Sequence, residues 1–357
     1  MTARYSPETR RDRLTNQWVT FAPSRSGRPR RTTSTPETET PADAAAPPGK
    51  DSVKDPAEGP VEGCPFCPGH EDMLPSIRWA WTDAEAPPPS WRTRVVPNKY
   101  PALAPDCPPP SSSAGACGLY QSRASRGTQE VIIETPHHHQ PLATMPVAQV
   151  DAVLRTYLQR YRAVREDHSG LFPFLFRNHG ASAGASIAHP HSQLIAPDAP
   201  PPLIQQEEQA AKARYDELGR CPYCAMVEAE LTAETRLVHT DDHFVAFVPF
   251  AAEVPYELWI VPREHTPEFG RLTPPRRQAL AETLRSVLER LRTRVDNPDY
   301  NLFVRTALDY DPDSPHLHWS LRIRPRTTVL AGYEQATGER INPSIPERDA
   351  AVLRDDA

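Results

Sequence analysis

The sequence predicts an α+β fold made from one unit used twice, each unit an antiparallel sheet with a single long helix packed on it. Three observations carry this. Two stretches place apolar residues near the 3.6-residue helical period. Short β-rich runs precede and follow each of them. Two near-identical motifs, Cys64-Pro65-Phe66-Cys67 and Cys221-Pro222-Tyr223-Cys224, stand at corresponding points in the two series.

The elements follow in the same order in each half. After Cys64 and Cys67 come a strand-like WRTRVVPNKYPAL, then QEVIIETP running into His137-His138-His139. A helix follows, with Val147, Val150, Val153, Leu154, Tyr157, Leu158, Tyr161 and Val164 on one face, and then the strand LFPFLFRN and His189-Pro190-His191. After Cys221 and Cys224 come HFVAFVPFAAEVPYELWIVP and His265, then a helix with Leu280, Leu284, Val287, Leu288 and Leu291 on one face. A proline pair suits the start of that helix. The strand YNLFVRTAL and His316-Leu317-His318-Trp319-Ser320 close the series.

Composition bounds the rest. A chain of 357 residues with 38% hydrophobic content can bury a sizeable core. No run approaches the roughly 18 apolar residues that a membrane span requires. The N-terminus MTARYSPETRRDRLTNQW has no apolar signal region, which points to a cytoplasmic protein. A net charge of −6 argues against a dedicated nucleic-acid binder but not against a small phosphorylated ligand held by a few arginines. Residues 29 to 62 are rich in Pro, Thr, Ala and Glu, nearly without large apolar residues, and read as a disordered insertion. Residues 104 to 117 read as a shorter exposed loop, with Cys107 and Cys117 incidental to it. The expected division is 1–28 as an N-terminal segment joining the first repeat, 63–200 as the first repeat and 201–357 as the second.

Structural zinc takes four tetrahedral ligands, and a C-x-x-C pair supplies two of them from one tight turn. Aligning the halves nominates Cys64, Cys67, His138 and His189 in the first, and Cys221, Cys224, His265 and His318 in the second. His137 and His139 compete with His138, and His316 competes with His318. A redox dithiol fits poorly, since it needs one active pair rather than two in series.

The halves diverge at one informative place. Two residues past the proposed ligand the first half has His191 and the second has Ser320. An imidazole is a good nucleophile toward phosphorus and a good leaving group from it. Gln193 lies within reach of phosphoryl oxygens. Ser186, at the end of the small-residue run Gly180 to Ser186, can offer a hydroxyl, and such a run lets a diphosphate approach the backbone. His191 is therefore the expected nucleophile, with Gln193 and Ser186 beside it.

Together, NHGASAGASIAHPHSQLIA, the paired C-P-[FY]-C motifs, RVVPNKYPAL, FVPFAAEVPYELWIVPREH and HWSLRIRPR resemble the galactose-1-phosphate uridylyltransferase family of the histidine-triad superfamily. The resemblance implies two histidine-triad-like repeats, the first catalytic and the second degenerate. It implies ping-pong transfer of UMP from UDP-glucose to galactose 1-phosphate through His191, with UDP-hexose and hexose 1-phosphate as ligands and a homodimer as the assembly. Arg25, Arg28, Asn98 and Asn178 match nucleotide or phosphate contacts, and Glu334 matches a sugar contact delivered from the neighbouring subunit. Glu207 matches a glutamate that binds iron in some members, but the second cysteine pair favours zinc, two per chain, over iron. The same pattern occurs in ADP-glucose phosphorylases, which implies an adenylyl transferase as the alternative. A histidine-triad hydrolase and a non-catalytic zinc-stabilised binding module are the remaining readings.

Overall fold

The computed structural model describes residues 8–11, 18–21, 59–83, 90–107, 120–167, 170–308, 313–338 and 340–354. In the first half the chain forms β1 (Glu8–Arg11), β2 (Trp18–Phe21), β3 (Trp79–Thr82), β4 (Trp91–Pro97), β5 (Gln121–Ala124), β6 (Gly127–Ile133), α1 (Val147–Asp167), β7 (Phe174–His179) and β8 (His191–Pro197). There follow α2 (Pro202–Leu218), α3 (Pro222–Ala233), β9 (Leu237–Thr240), β10 (Phe244–Phe247), β11 (Leu258–Pro262), α4 (Pro274–Arg294), β12 (Tyr300–Arg305), β13 (Ser320–Pro325), α5 (Gly332–Thr337) and α6 (Pro346–Arg354).

Ten strands form one antiparallel sheet in the order β3-β4-β6-β8-β7-β12-β13-β11-β10-β9. The order is a palindrome of roles: each half contributes five strands in the same arrangement, and the halves meet where β7 pairs with β12. At that seam Asn178 lies opposite Asn301 and His179 opposite Tyr300. The expected α+β class with antiparallel sheets therefore holds, and the two sheets run on into one. Pairing β7 with β12 satisfies two rows of backbone groups that would otherwise be open edges. A separate small sheet, β2-β1-β5, stands apart from it.

Both long helices pack on one face of the sheet and against each other. The residues spaced for burial are buried: Val150, Val153, Leu154, Tyr157, Leu158, Tyr161 and Val164 on α1, and Leu280, Leu284, Val287, Leu288 and Leu291 on α4. Val147 is partly buried against the same cluster. Each such Leu or Val contributes about 1.5–3 kcal/mol relative to remaining exposed. A bidentate ion pair ties the helices, Arg277 reaching both oxygens of Asp151 at 2.7 and 3.0 Å. No helix among the described residues is long and apolar enough to cross a membrane.

The two cysteine motifs lie on the opposite face but differ in local structure. Cys221 caps α3, and Cys224 sits in its first turn, because Pro222 at N1 is followed by the helix-forming AMVEAEL. After Cys67, Pro68 cannot donate to a growing helix and Gly69 adopts φ +90°, so the first motif stays a turn. The expected tight turn therefore describes the first motif and not the second.

Gly127 begins β6 at φ +147°, where a Cβ would run into the carbonyl oxygen of Ala196 on β8. Gly127→Ala should cost about 1–3 kcal/mol from the backbone conformation alone, read as a lower midpoint in urea unfolding. An unchanged midpoint would mean that β6 and β8 can part without loss.

Candidate functional site

The fold brings Cys64, Cys67, His138 and His189 together, and likewise Cys221, Cys224, His265 and His318, with the donor atoms of each group within 4.8 Å of one another. Cys67 Sγ lies 3.4 Å from His138 Nδ1 and 3.6 Å from His189 Nδ1, and Cys64 Sγ lies 3.7 Å from His189 Nδ1. In the second group Cys224 Sγ lies 3.4 Å from His265 Nδ1 and 3.6 Å from His318 Nδ1. Zinc–sulfur and zinc–nitrogen bonds in a tetrahedron imply sulfur–nitrogen edges of roughly 3.6 Å, so both donor sets fit that ion. Of the histidine triplet, His138 is the one that faces the cysteines. His316 instead packs edge-on to Tyr215. Glu207 is in neither group; it faces Arg305 at 3.5 Å and Arg322 at 3.4 Å.

His189 is fully buried, and burial drives its pKa down to about 3, so the ring is neutral. Its Nε2–H donates to the carbonyl of Thr135 at 2.7 Å, which leaves Nδ1 to face the cysteines. His318 has no such partner: its Nε2 is buried without a hydrogen bond among the described residues.

His191 opens β8 between β6 and β7, inside the sheet rather than at its edge. Pro190 is tolerated because it precedes the first paired residue. The strand alternation then sorts the side chains. Ser192 turns toward the helices, bonding Tyr157 and Glu134. His191 and Gln193 line a cavity of about 480 Å³ on the other face, together with Phe66, Asn98, Tyr100 and Ser186. That volume lies within the range of small-molecule sites. The Nδ1–H of His191 donates to the carbonyl of His189 at 2.9 Å. This tautomer puts the lone pair on Nε2, the arrangement required of a nucleophile.

The remaining expected residues are placed unequally. Asn178 stands at the β7–β12 seam and does not line the cavity. Its amide orientation is fixed from the second half: Arg326 Nε can only donate and bonds Asn301 Oδ1 at 2.6 Å. Asn301 Nδ2 therefore donates to Asn178 Oδ1 and to the carbonyl of Ala183, both at 2.9 Å. Asp299 holds the same loop, accepting from Ser182 N at 2.7 Å and Ser182 Oγ at 2.6 Å. Gly180, at φ +80°, is needed there because a Cβ would collide with the Asp299 carboxylate. Glu334 lies on α5, where its carboxylate accepts from the backbone of Ala331 and Ile341, away from this cavity. Arg25 and Arg28 lie outside the described residues, as does all of the 29–62 insertion up to residue 58.

Sequence reasoning missed the buried polar layer behind the strand. Glu134 and Arg177, 0% and 2% exposed at their side chains, form an ion pair at 3.0 Å. Tyr157, Ser192 and Tyr300 complete it. An acidic residue ending the apolar run VIIE, and an arginine inside FLFRN, were the available signals.

In the second half Ser320 takes the place of His191, and Arg322 that of Gln193. Arg322 Nε donates to Ser320 Oγ at 3.2 Å. No imidazole stands at that position, so the place of His191 carries a histidine in the first half and a serine in the second.

Residues 1–201 match the family described as galactose-1-phosphate uridyl transferase, N-terminal domain. The chain belongs to this family. Residues 230–321 match the HIT domain, which places the uridyl transferase family member within the histidine-triad superfamily. Among its relatives, ADP-glucose phosphorylase of Arabidopsis thaliana is 31% identical over 98% of this chain and 93% of its own length. Galactose-1-phosphate uridylyltransferase of Thermotoga maritima is 30% identical over 72% of this chain and 82% of its own. A crystal structure of Arabidopsis ADP-glucose phosphorylase with bound ADP-glucose superposes with a TM-score of 0.71 at 29% identity, covering 98% of this chain and 99% of that one. This family member thus sits among nucleotidyl transferases of the galactose-1-phosphate uridylyltransferase and ADP-glucose phosphorylase type.

Proposed function

We propose that the protein transfers UMP from UDP-glucose to galactose 1-phosphate through a covalent uridylyl–His191 intermediate. The observation that carries it is the His191 ring, held by the His189 carbonyl with Nε2 as its nucleophilic nitrogen, beside Gln193 in the cavity. The Nε2 lone pair forms the N–P bond at the α-phosphorus. The bond from that phosphorus to the bridging oxygen breaks, and glucose 1-phosphate leaves with the electron pair. A phosphate oxygen of galactose 1-phosphate then attacks the same phosphorus, and the N–P bond breaks. His191 keeps its Nδ1 proton throughout, and the His189 carbonyl that accepts it stabilises the positive charge that develops on the ring. Gln193 donates to the non-bridging oxygens where negative charge accumulates. Ser186 supplies a hydroxyl at the same wall. Asn98, which lines the cavity, is assigned with Arg25 and Arg28 to the nucleotide and its phosphates. Asn178 is assigned to the phosphates from behind the Gly180–Ser186 loop, whose Ser186 lines the cavity.

Zinc is assigned to both four-donor groups. Bound there it is structural: it fixes His189, and with it the main-chain carbonyl on which the His191 tautomer depends. Metal analysis of purified protein should return two zincs per chain; one zinc with iron would overturn the second-half assignment. A reducing cytoplasm would keep the four thiols available as ligands. Glu334 does not line the His191 cavity of its own chain among the described residues, in keeping with a sugar contact delivered across a homodimer, which light scattering would reveal.

A second reading has its own support. The Arabidopsis ADP-glucose phosphorylase aligns end to end with this chain, which favours AMP transfer from ADP-glucose by the same histidine. Incubation with radiolabelled UDP-glucose or ADP-glucose without acceptor should leave an acid-labile, base-stable label on His191. Label from ADP-glucose alone overturns the uridylyl reading, and no label from either overturns the covalent mechanism.

A further inference from the structure

Gln193 can present either end of its amide to the cavity, and the two choices have opposite consequences. The NH₂ end donates to phosphoryl oxygens; the carbonyl end would repel them. The structure contains a chain of hydrogen bonds that decides between them, and it begins at a donor that cannot turn round.

The backbone N–H of Ala102 donates to Gln129 Oε1 at 2.8 Å. A main-chain N–H is only a donor, so Oε1 of Gln129 must face it, and its Nε2 must face the other way. There, Gln129 Nε2 donates to Gln193 Oε1 at 3.0 Å. A second amide repeats the logic. The backbone N–H of Tyr100 donates to Asn98 Oδ1 at 2.9 Å, which sends Asn98 Nδ2 toward Gln193 Oε1 at 3.4 Å. Two amides, each fixed by a backbone donor, thus converge on one carbonyl oxygen. With its oxygen committed, Gln193 has only its NH₂ group left for the cavity.

We infer that Gln129 is a positioning residue for nucleotidyl transfer, acting through Gln193 by fixing which end of that amide meets the phosphates. The inference rests on the proposed role of Gln193 as a phosphate donor. Its strand position explains how it acts: Gln129 and Val131 alternate along β6, and Val131 pairs with Gln193 on β8, so Gln129 and Gln193 are diagonal neighbours on one face. Gln129 is 4% exposed, its burial excludes competing water, and it lines no part of the cavity itself. A buried glutamine inside the strand TQEVII needs a partner for each end of its amide, and Ala102 and Gln193 provide them.

The test is the rate at which His191 acquires label from the donor nucleotide sugar, measured in a double-mutant cycle. Gln129→Met keeps the volume and removes both hydrogen bonds. Its labelling rate should fall by roughly tenfold, a fraction of the 10²–10³-fold that loss of a whole transition-state donor causes. In a Gln193→Ala background the same substitution should have no further effect, because the residue through which Gln129 acts is gone. A purely structural contribution would persist in that background, so persistence overturns the inference. A Gln129→Met protein that labels at the wild-type rate also overturns it. Gln129→Glu can still accept from Ala102 N–H while offering its other oxygen to Gln193; it serves in the same cycle should Gln129→Met melt early. The reading itself fails separately: it falls if the wild-type protein takes no label from either donor, and stands if only the Gln129 variants behave like wild type.

Discussion

His191→Ala should take no nucleotidyl label from any donor, and should lower turnover by at least about 10⁴-fold, the scale of losing a covalent nucleophile. The substitution removes a ring at the wall of the cavity, not a ligand of either donor group. Zinc content and the unfolding midpoint should therefore stay near wild type. His191→Ser makes the stronger comparison, because it installs in the first half what Ser320 supplies in the second. A serine hydroxyl here needs a base to take its proton, and His138, which lines the same cavity, turns its Nδ1 to Cys67. Ser192 turns to the helix face, and His189 offers its Nδ1 to the cysteines. The variant should thus be as inactive as the alanine form. Turnover within tenfold of wild type in either variant would show that another group attacks phosphorus.

Much of this site was legible in the sequence because its logic is periodic or local. The helix faces of α1 and α4 repeat near 3.6 residues, and burial follows that pattern except at Val147 in the first turn of α1, which is partly buried. The cysteine pairs announce themselves by spacing, and repeating the unit leads from them to His138, His189, His265 and His318. The difference between His191 and Ser320 needs only the alignment of two halves. What was not legible depends on contacts between distant strands. Nothing in LFPFLFRN or YNLFVRTAL says that β7 and β12 pair with each other and make one sheet of two. Both read as apolar strands, and either could have been an edge. The roles of Asp299, Asn301 and Arg326 in holding Asn178 and the Gly180–Ser186 loop exist only because of that seam. Helices α2 and α3 went unread for a different reason. Each buries few residues, Ile204 and Ala211 on α2 and Val227 and Glu230 on α3, so neither writes a strong apolar stripe.

Glu134→Gln should destabilise the protein by about 3–5 kcal/mol, the cost of stranding one member of a buried ion pair. Arg177 would remain a cation at 2% exposure, with Tyr300 Oη its other hydrogen-bond partner at 3.1 Å. The loss should appear as a lower midpoint in urea unfolding with an unchanged slope. Arg177→Met strands the carboxylate instead and should cost a similar amount. Removing both charges, as Glu134→Leu with Arg177→Met, should recover most of that loss, since an apolar pair of similar volume avoids desolvating two ions. The recovery should not extend to catalysis. Glu134 also grips the Pro190–Ser192 segment from both sides: its backbone N–H donates to the carbonyl of Pro190 at 3.1 Å, and its carboxylate accepts from Ser192. Those contacts bracket His191, and only the first survives in the double variant. Restored stability with slow labelling of His191 would therefore separate what the ion pair does for the fold from what Glu134 does for the strand. Equal recovery of both would mean that the buried charges serve the fold alone, and that packing by itself aligns His191.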